Sequence, residues 1–329
     1  MKLAVIGLGK MGLVHACTLS LFPEVELTVL CDKSKLIRRF CKKMFHKTHI
    51  IDDIEKLHRF DINAVYITTP IPSHFLITDL IFQKEIADNV FVEKTLASTY
   101  EESNRLSELA KNSKGINMVG YMKRFSVVFT KAKDLLSGNS IGDVLSFKAY
   151  AYSSDFFNET ASSKRASNGR GGVLKDLGAH VIDLALWYFG ELQVDLTNLR
   201  VLNKRDDEEH IHFTVKNSGG LNGEFDVSWS QPGYRMPEFG LIIRGTKGFI
   251  KVNDDKVSLE LKSGEQTTWY RHDLNDNVPF LLGAPEYYRE DSFFIKSVLN
   301  SNSIESDFKQ ASEVDYIIDQ VLHNTRKNQ

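Results

Sequence analysis

The residues best suited to acid–base chemistry lie in one stretch, between Gly171 and Gly190. Asp176 and His180 are four positions apart there, so an α-helix would place their side chains on one face, one turn from each other. A carboxylate and an imidazole at that spacing can hold one proton between them and transfer it to or from a substrate. The alternative is that the pair forms a stabilising interaction on a half-exposed helix, and the rest of the chain has to decide between the two interpretations.

A regular helix is predicted for this stretch because its residue pattern is helical throughout. Asp183 and Trp187 continue the face that begins with Asp176 and His180. An apolar stripe runs beside that face and consists of Leu177, Val181, Leu184 and Tyr188. The sequence therefore predicts an α-helix that carries the acid and the imidazole on one side.

A glycine-rich turn follows the first predicted strand, Lys2–Ile6. In the pattern Gly7-x-Gly9-x-x-Gly12, the first glycine permits a tight turn, the second lets a pyrophosphate approach the backbone, and the third lets the next helix pack on its strand. The second predicted strand ends at Asp32, where a carboxylate binds the adenosine ribose and repels the 2′-phosphate of NADP. Basic residues after Asp32 act in the opposite direction, so NAD is predicted and NADP is left possible. The residues assigned to the cofactor in this region are Gly7, Gly9, Lys10, Met11, Gly12 and Asp32.

Strands and helices alternate as far as Gly120, which predicts a doubly wound parallel sheet of the Rossmann type. Two strand ends carry distinctive residues, which are Thr69, Pro70 and His74 at one end and Glu93 and Lys94 at the other. Ligands of such sheets bind beyond the carboxyl ends of the strands, so these five residues are predicted to contact the cofactor. His74 is either structural or cofactor-lining, and Lys94 is either a surface lysine or an amine that shares a proton with the reacting oxygen.

The second part of the chain is predicted to be an α+β domain with a large, mainly antiparallel open sheet, because strand-like runs recur between residues 144 and 271. The predicted domains are residues 1–122 for dinucleotide binding and residues 123–329 for substrate binding and oligomerisation. One face of the sheet, with residues such as Trp229, must be covered or exposed, and an exposed apolar face would favour a homo-oligomer, either a dimer or a tetramer. The polar loop before the central helix contains Arg170, which either contacts an anionic substrate or is only solvated.

The overall composition excludes several classes of function. The 329 residues carry a net charge of −2, so no nucleic-acid partner is expected. The three cysteines form neither a disulfide framework nor a zinc spacing, which predicts reduced thiols in a cytoplasm and no metal site. No run of about 18 apolar residues is present, so no membrane span is expected.

Four motifs in this order resemble the glucose–fructose oxidoreductase and inositol dehydrogenase family (Gfo/Idh/MocA) of NAD(P)-dependent sugar oxidoreductases. They are Gly7-x-Gly-x-x-Gly12, Thr69-Pro70 with His74, Glu93-Lys94, and Asp176-x-x-x-His180. The resemblance implies that Lys94, Asp176 and His180 surround the carbinol that is oxidised, and that Arg124 lines the substrate site. Thr95 stands where the family usually has proline, so it keeps an N–H group and a less restricted φ.

The function implied by the resemblance is hydride transfer between a nicotinamide and a secondary alcohol or ketone of a sugar, a nucleotide sugar or a cyclitol. It requires Lys94 from the first domain to face Asp176 and His180 from the second across the reactive carbon. Two alternatives stay open: a non-catalytic dinucleotide-binding sensor or scaffold, and a sugar oxidoreductase that retains its cofactor tightly.

Overall fold

The computed structural model describes residues 1–155, 157, 171–202, 208–278 and 284–327, so Arg170 lies outside the described residues. The described chain forms two compact units. The first unit comprises Met1–Tyr121 and Tyr287–Asp315, and the second comprises the described residues of Met122–Glu286 and Tyr316–Gln329. None of the described helices combines the length and the apolar character that a membrane span requires.

The first unit is built on a six-stranded parallel sheet with the strand order β3-β2-β1-β4-β5-β6. Its strands are β1 (Lys2–Ile6), β2 (Glu26–Cys31), β3 (His49–Ile51), β4 (Ala64–Ile67), β5 (Asn89–Glu93) and β6 (Asn117–Gly120). The α-helices of this region are α1 (Lys10–Leu19), α2 (Lys35–Met44), α3 (His74–Gln83) and α4 (Tyr100–Asn112). The predicted parallel sheet is confirmed. The sequence did not predict β3, because three residues at a sheet edge, of which none is fully buried, are too few to show a periodicity.

The central strands of this sheet are covered on both faces. Val5, Val65 and Val92 have no exposed surface, and neither do the residues directly before them, which point to the opposite face. Continuous apolar runs of this kind are typical of parallel strands. The strands therefore form a rigid base from which the loops at their carboxyl ends extend.

The second unit contains an eight-stranded sheet with the strand order β14-β13-β12-β11-β7-β10-β9-β8. Its strands are β7 (Val144–Tyr152), β8 (Gln193–Leu202), β9 (His210–Lys216), β10 (Asn222–Ser228), β11 (Glu238–Gly245), β12 (Gly248–Asn253), β13 (Lys256–Leu261) and β14 (Gln266–Tyr270). Every neighbouring pair is antiparallel except β7 and β10, which are parallel. Helices α5 (Val127–Ser137) and α6 (Ala179–Phe189) contact this sheet. The predicted large, mainly antiparallel sheet is confirmed.

The two faces of this second sheet differ in polarity. Along β7, Phe147 and Ala151 are buried, whereas the alternating residue Lys148 is partly exposed. On that outer face the Lys148 ammonium lies 3.0 Å from the carboxylate of Glu224 on the neighbouring strand. Trp229 is 1% exposed. Trp229 is thus covered within the chain, and the homo-oligomer stays a prediction.

A segment near the end of the chain completes the core of the first unit. It contains most of α7 (Pro285–Asn300) and the beginning of α8 (Phe308–Lys327). The Phe294 ring meets the rings of Tyr66 and Phe91 edge-on, with centroids 5.4 and 5.7 Å away. A domain boundary at residue 122 assigns this segment to the second domain, whereas its apolar side chains pack in the first unit. At the start of α8 the Asp307 carboxylate accepts the Gln310 N–H at 2.9 Å and caps the helix.

Candidate active site

The carboxyl ends of β1 and β4 lie side by side in the first unit, at the point where the strand order reverses. Such a reversal opens the crevice in which α/β sheets bind their ligands. Gly7 follows β1 and Thr68 follows β4, and the Thr68 hydroxyl donates to the Gly7 carbonyl oxygen at 2.6 Å. The structure therefore brings together the glycine-rich turn and the first of the two predicted strand ends.

The glycine turn, by which we mean Gly7, Gly9 and Gly12, meets three different spatial demands. Gly7 has a φ of +89°, and a Cβ there would lie 2.6 Å from the methyl carbon of Thr69. A Cβ on Gly12 would lie only 1.8 Å from the Gly7 carbonyl oxygen. A Cβ on Gly9 would meet nothing within 4 Å, and α1 begins there without a side-chain cap. Open space beside the first N–H groups of a helix fits a dinucleotide pyrophosphate. Lys10 and Met11 form the first turn of this helix.

Asp32 connects the end of β2 to the glycine turn. Its carboxylate accepts the Leu8 N–H through Oδ2 and the Ser34 N–H through Oδ1, both at 2.7 Å. Each carboxylate oxygen has a further lone pair with which it can accept a ribose hydroxyl. The Arg38 guanidinium donates to the Asp32 carbonyl oxygen at 2.8 Å. Asp32 thus favours NAD by its charge, while a nearby cation leaves NADP possible.

His74 organises the strand end that follows β4. Its imidazole is fully buried, with Nδ1 2.8 Å from the Thr95 carbonyl oxygen and Nε2 2.7 Å from that of Thr69. Burial lowers the pKa of His74, although both carbonyl oxygens oppose this effect. Pro70 precedes a short 3-10 turn in which the Ser73 hydroxyl donates to the Thr69 hydroxyl at 2.8 Å. Of the two roles left open for His74, this geometry favours the structural one, since the imidazole ties two loops together.

Glu93 and Lys94 lie at the end of β5, where the Glu93 carboxylate accepts the Lys94 N–H through Oε2 at 3.1 Å. Lys94 is half-buried, and the Lys94–Thr95 peptide bond is cis. The other Glu93 oxygen, Oε1, lies 2.9 Å from Nε2 of His15, and Nδ1 of that histidine lies 2.8 Å from Oδ1 of Asp291. Neither His15 nor Asp291 was predicted from the sequence to belong to the site. A histidine on the buried side of α1 was a signal that could have been used, whereas Asp291 gave none.

Asp176 and His180 lie on either side of the junction between a π-helical turn (Leu174–Gly178) and α6 in the second unit. The prediction of a regular α-helix is wrong here, because a π turn is wider than an α turn and changes the four-residue spacing. The Trp229 indole N–H donates to Oδ2 of Asp176 at 3.1 Å, and the His180 ring packs edge-on against Phe239 with centroids 5.1 Å apart. Both side chains therefore contact residues that lie in the sheet or directly after one of its strands, and π turns are frequent at functional sites.

Arg124, for which the resemblance implies a substrate contact, forms a buried ion pair with Asp183 in the second unit. Nε lies 2.9 Å from Oδ2 and Nη2 lies 2.6 Å from Oδ1. Arg124 is 6% exposed and Asp183 is fully buried. Burial raises the pKa of Asp183, although the Arg124 guanidinium opposes this effect. The Trp187 ring also lies against the guanidinium, with its centroid 5.8 Å from Cζ. The predicted helix face thus holds Arg124 in a buried structural pair, and its contact with a substrate stays a prediction.

Comparisons with known proteins cover most of the chain. Residues 1–121 match the model of an oxidoreductase family with an NAD-binding Rossmann fold, and residues 129–251 match the GFO/IDH/MocA C-terminal domain. The chain is 27% identical over 265 residues to scyllo-inositol 2-dehydrogenase (NAD(+)) of Bacillus subtilis (strain 168), which covers 76% of this chain and 72% of that protein. It is 26% identical over 282 residues to scyllo-inositol 2-dehydrogenase (NADP(+)) IolW of the same strain. That match covers 82% of this chain and 74% of that protein.

A levoglucosan dehydrogenase solved in complex with NADH shares the fold of this chain. The TM-score is 0.86, and the match covers 99% of this chain and 97% of that chain. The sequence identity is 21%. The arrangement of strands and helices is therefore common to both proteins, although most of their side chains differ.

Proposed function

The chain belongs to the GFO/IDH/MocA family of NAD-binding oxidoreductases, and from this premise we propose that it transfers hydride between NAD(P) and a secondary alcohol or ketone of a sugar or cyclitol. Membership of the family confirms the resemblance, the oxidoreductase class and the dinucleotide cofactor. The observation that carries the finer proposal is that Lys94, Asp176 and His180 are all present on such a chain.

The glycine turn and Asp32 would hold the cofactor. The open space at Gly9 and the uncapped N–H groups of α1 suit the pyrophosphate, and the Asp32 carboxylate suits the ribose hydroxyls. When bound, the nicotinamide supplies the acceptor or donor of the hydride. The protein itself then has to bind the sugar, move a proton and stabilise charge on one oxygen.

Three side chains would perform that work on the substrate. The His180 imidazole takes the proton of the hydroxyl group as hydride leaves the same carbon, and it returns the proton in the reverse reaction. The Lys94 ammonium stabilises the negative charge that develops on the oxygen. Asp176, held by the Trp229 indole, orients the imidazole and stabilises its charged form. The proposal requires Lys94 and His180 to reach the same oxygen.

Cyclic polyols are the substrate class that we favour. The two relatives described above are named as scyllo-inositol 2-dehydrogenases, and the structural neighbour is named as a levoglucosan dehydrogenase. Both substrates are rings with adjacent secondary hydroxyl groups. A nucleotide sugar stays possible through the basic residues near Arg170, which lie outside the described residues.

A substrate panel tests the proposal. The purified chain is incubated with NAD+ or NADP+ and with scyllo-inositol, myo-inositol, levoglucosan, free aldoses or UDP-sugars, while the absorbance of reduced nicotinamide is followed. We expect turnover with at least one polyol, and His180→Ala should reduce kcat by about 10²- to 10⁴-fold.

The matched control is His272→Ala, because that histidine side chain is 81% exposed and belongs to the same unit. It should leave kcat unchanged. A loss of less than about threefold in His180→Ala would remove this residue from the role of base. Tight NADH binding without turnover of any polyol would instead favour the dinucleotide sensor.

A further inference from the structure

Three charged side chains form a buried chain of contacts next to Lys94. Glu93 Oε1 lies 2.9 Å from His15 Nε2, and His15 Nδ1 lies 2.8 Å from Asp291 Oδ1. His15 and Asp291 are fully buried, and Glu93 is 9% exposed. We call Glu93, His15 and Asp291 the buried bridge. It connects the end of β5 to α1 and to α7, all within the first unit.

The geometry of the buried bridge suits a charged imidazole. Each ring nitrogen of His15 faces a carboxylate oxygen, and because an ionised carboxylate only accepts, both nitrogens donate a hydrogen bond. Burial raises the pKa of Asp291, but the charge and hydrogen bond of His15 oppose this effect. Burial opposes the charge, but the charges and hydrogen bonds of Asp291 and Glu93 outweigh it and raise the pKa of His15 well above its usual value. The imidazolium therefore keeps both carboxylates hydrogen-bonded in a place that is almost entirely buried.

The surroundings of the buried bridge are aromatic and hold the imidazole in place. The His15 ring lies 5.4 Å from the Tyr66 ring, 5.2 Å from the Phe91 ring and 5.9 Å from the Tyr287 ring. Burial and the carboxylates of Asp291 and Glu290 raise the pKa of Tyr66 well above its usual value, so this phenol stays neutral. Among the described residues, no group of histidine, cysteine and carboxylate side chains is arranged to hold a metal ion. The contacts of the bridge are therefore hydrogen bonds between opposite charges.

Glu93 transmits this constraint to Lys94. One carboxylate oxygen is held by His15, and the other accepts the Lys94 N–H at 3.1 Å. A carboxylate that is engaged through both oxygens cannot rotate without losing one of the contacts. The backbone N–H of Lys94 is therefore held in one orientation, and this defines the direction in which the Lys94 side chain leaves the backbone.

We propose that His15 and Asp291 are positioning residues for the Lys94 amine and that they act through Glu93. This inference rests on the proposed function, because Lys94 needs an exact aim only if it stabilises charge on a substrate oxygen. The bridge also ties β5 to α1, the helix that begins at Gly9 of the glycine turn. One buried imidazolium thus links the amine to the element that would hold the pyrophosphate.

Asp291→Asn is the first test, since it keeps the shape of the side chain and removes its charge. We expect kcat to fall about 10- to 100-fold, because a small displacement of a reacting group has an effect of this size. The KM for NAD+ and the affinity for NADH should change by less than about threefold, since the glycine turn is untouched. In a Lys94→Ala background the same substitution should have no further effect on kcat, because a positioning residue acts only through the group that it positions.

Glu286→Gln is the matched control. Glu286 lies on the same helix, is 2% exposed and accepts a hydrogen bond from Arg271 at 2.6 Å. It should leave kcat unchanged, and the thermal midpoint of each variant shows whether the fold is retained. An equal loss of kcat in Glu286→Gln, or an undiminished effect of Asp291→Asn in the Lys94→Ala background, would overturn the positioning role.

A spectroscopic measurement tests the bridge without catalysis. In the ¹⁵N-histidine NMR spectrum of the wild-type chain, both ring nitrogens of His15 should stay protonated far above pH ~6.5, and Asp291→Asn should shift this titration to lower pH. A neutral His15 ring at pH ~8 would refute the bridge even in an active enzyme. Absence of turnover by the wild type on every substrate would overturn the proposed function and the positioning role together. If the wild type is active and Asp291→Asn has the same kcat, only the positioning role is overturned.

Discussion

Gly9 is the position at which dinucleotide binding can be perturbed with the least effect on the fold. Its φ of −66° is accessible to any residue, and a Cβ there would meet nothing within 4 Å. Gly9→Ala therefore adds one methyl group to the space that the pyrophosphate is expected to occupy. We expect the free energy of unfolding to stay within about 0.5 kcal/mol of the wild type. The affinity for NADH should fall at least about tenfold, which corresponds to about 1.4 kcal/mol.

Gly12→Ala is the matched comparison, because the same methyl group would enter a filled space. Its Cβ would lie 1.8 Å from the Gly7 carbonyl oxygen and 2.7 Å from the Thr68 hydroxyl. A backbone oxygen cannot move aside unless the whole turn shifts, so we expect the free energy of unfolding to fall by about 1–3 kcal/mol or more. NADH affinity should fall as well, but here as a consequence of the altered fold.

Two measurements separate these outcomes. Urea unfolding followed by circular dichroism gives the free energy of unfolding, and isothermal titration calorimetry gives the affinity for NADH. If the glycine turn binds the pyrophosphate, Gly9→Ala should lower only the affinity for NADH. Gly12→Ala should lower both the affinity for NADH and the free energy of unfolding. Wild-type affinity in Gly9→Ala at unchanged stability would refute the assignment of this open space to the pyrophosphate.

Two other substitutions test the rest of the site, and a third tests an ion pair on the second sheet. Arg124→Ala leaves the fully buried Asp183 carboxylate without its cation and should cost about 3–5 kcal/mol in urea unfolding, and a cost below about 1 kcal/mol would contradict a structural pair. Asp32→Asn removes the charge that repels a 2′-phosphate, so the ratio of kcat/KM for NAD+ to that for NADP+ should fall at least about tenfold, and an unchanged ratio would exclude Asp32 from this discrimination. Burial acts to raise the pKa of Asp226, but hydrogen bonds from His210 and Tyr152 lower it to about 2. The contribution of Asp226 to stability is therefore complete above pH ~4 and is lost as the pH falls towards ~2. The thermal midpoint of Asp226→Asn should therefore depend less on pH over that interval than the midpoint of the wild type.

Features that depend on neighbouring residues could be predicted from the sequence. The glycine turn lies between an apolar run and a helical pattern, and its geometry follows from backbone sterics within a few residues. The parallel sheet follows in the same way, because the alternation of strands and helices leaves few possible topologies. Asp32 was found for the same reason, since it directly follows a recognisable strand.

The local conformation around Asp176 could not be predicted, because helical periodicity does not distinguish an α turn from a π turn. The sequence pattern places Asp183 and Trp187 correctly on one face, where both contact Arg124. The π turn between Leu174 and Gly178 is instead accompanied by tertiary contacts, such as the hydrogen bond to Asp176 from Trp229, which directly follows β10. These contacts join residues that are far apart in the chain.

The sequence by itself determined the parallel sheet, the glycine turn and the residue types of the acid, the imidazole and the amine. Only the tertiary structure decided which buried charges meet. His15 lies 78 residues from Glu93 and 276 residues from Asp291, so no local pattern could pair them. The physical reason is that a buried charge requires a partner but does not specify where along the chain that partner lies, and the fold alone brings the two together.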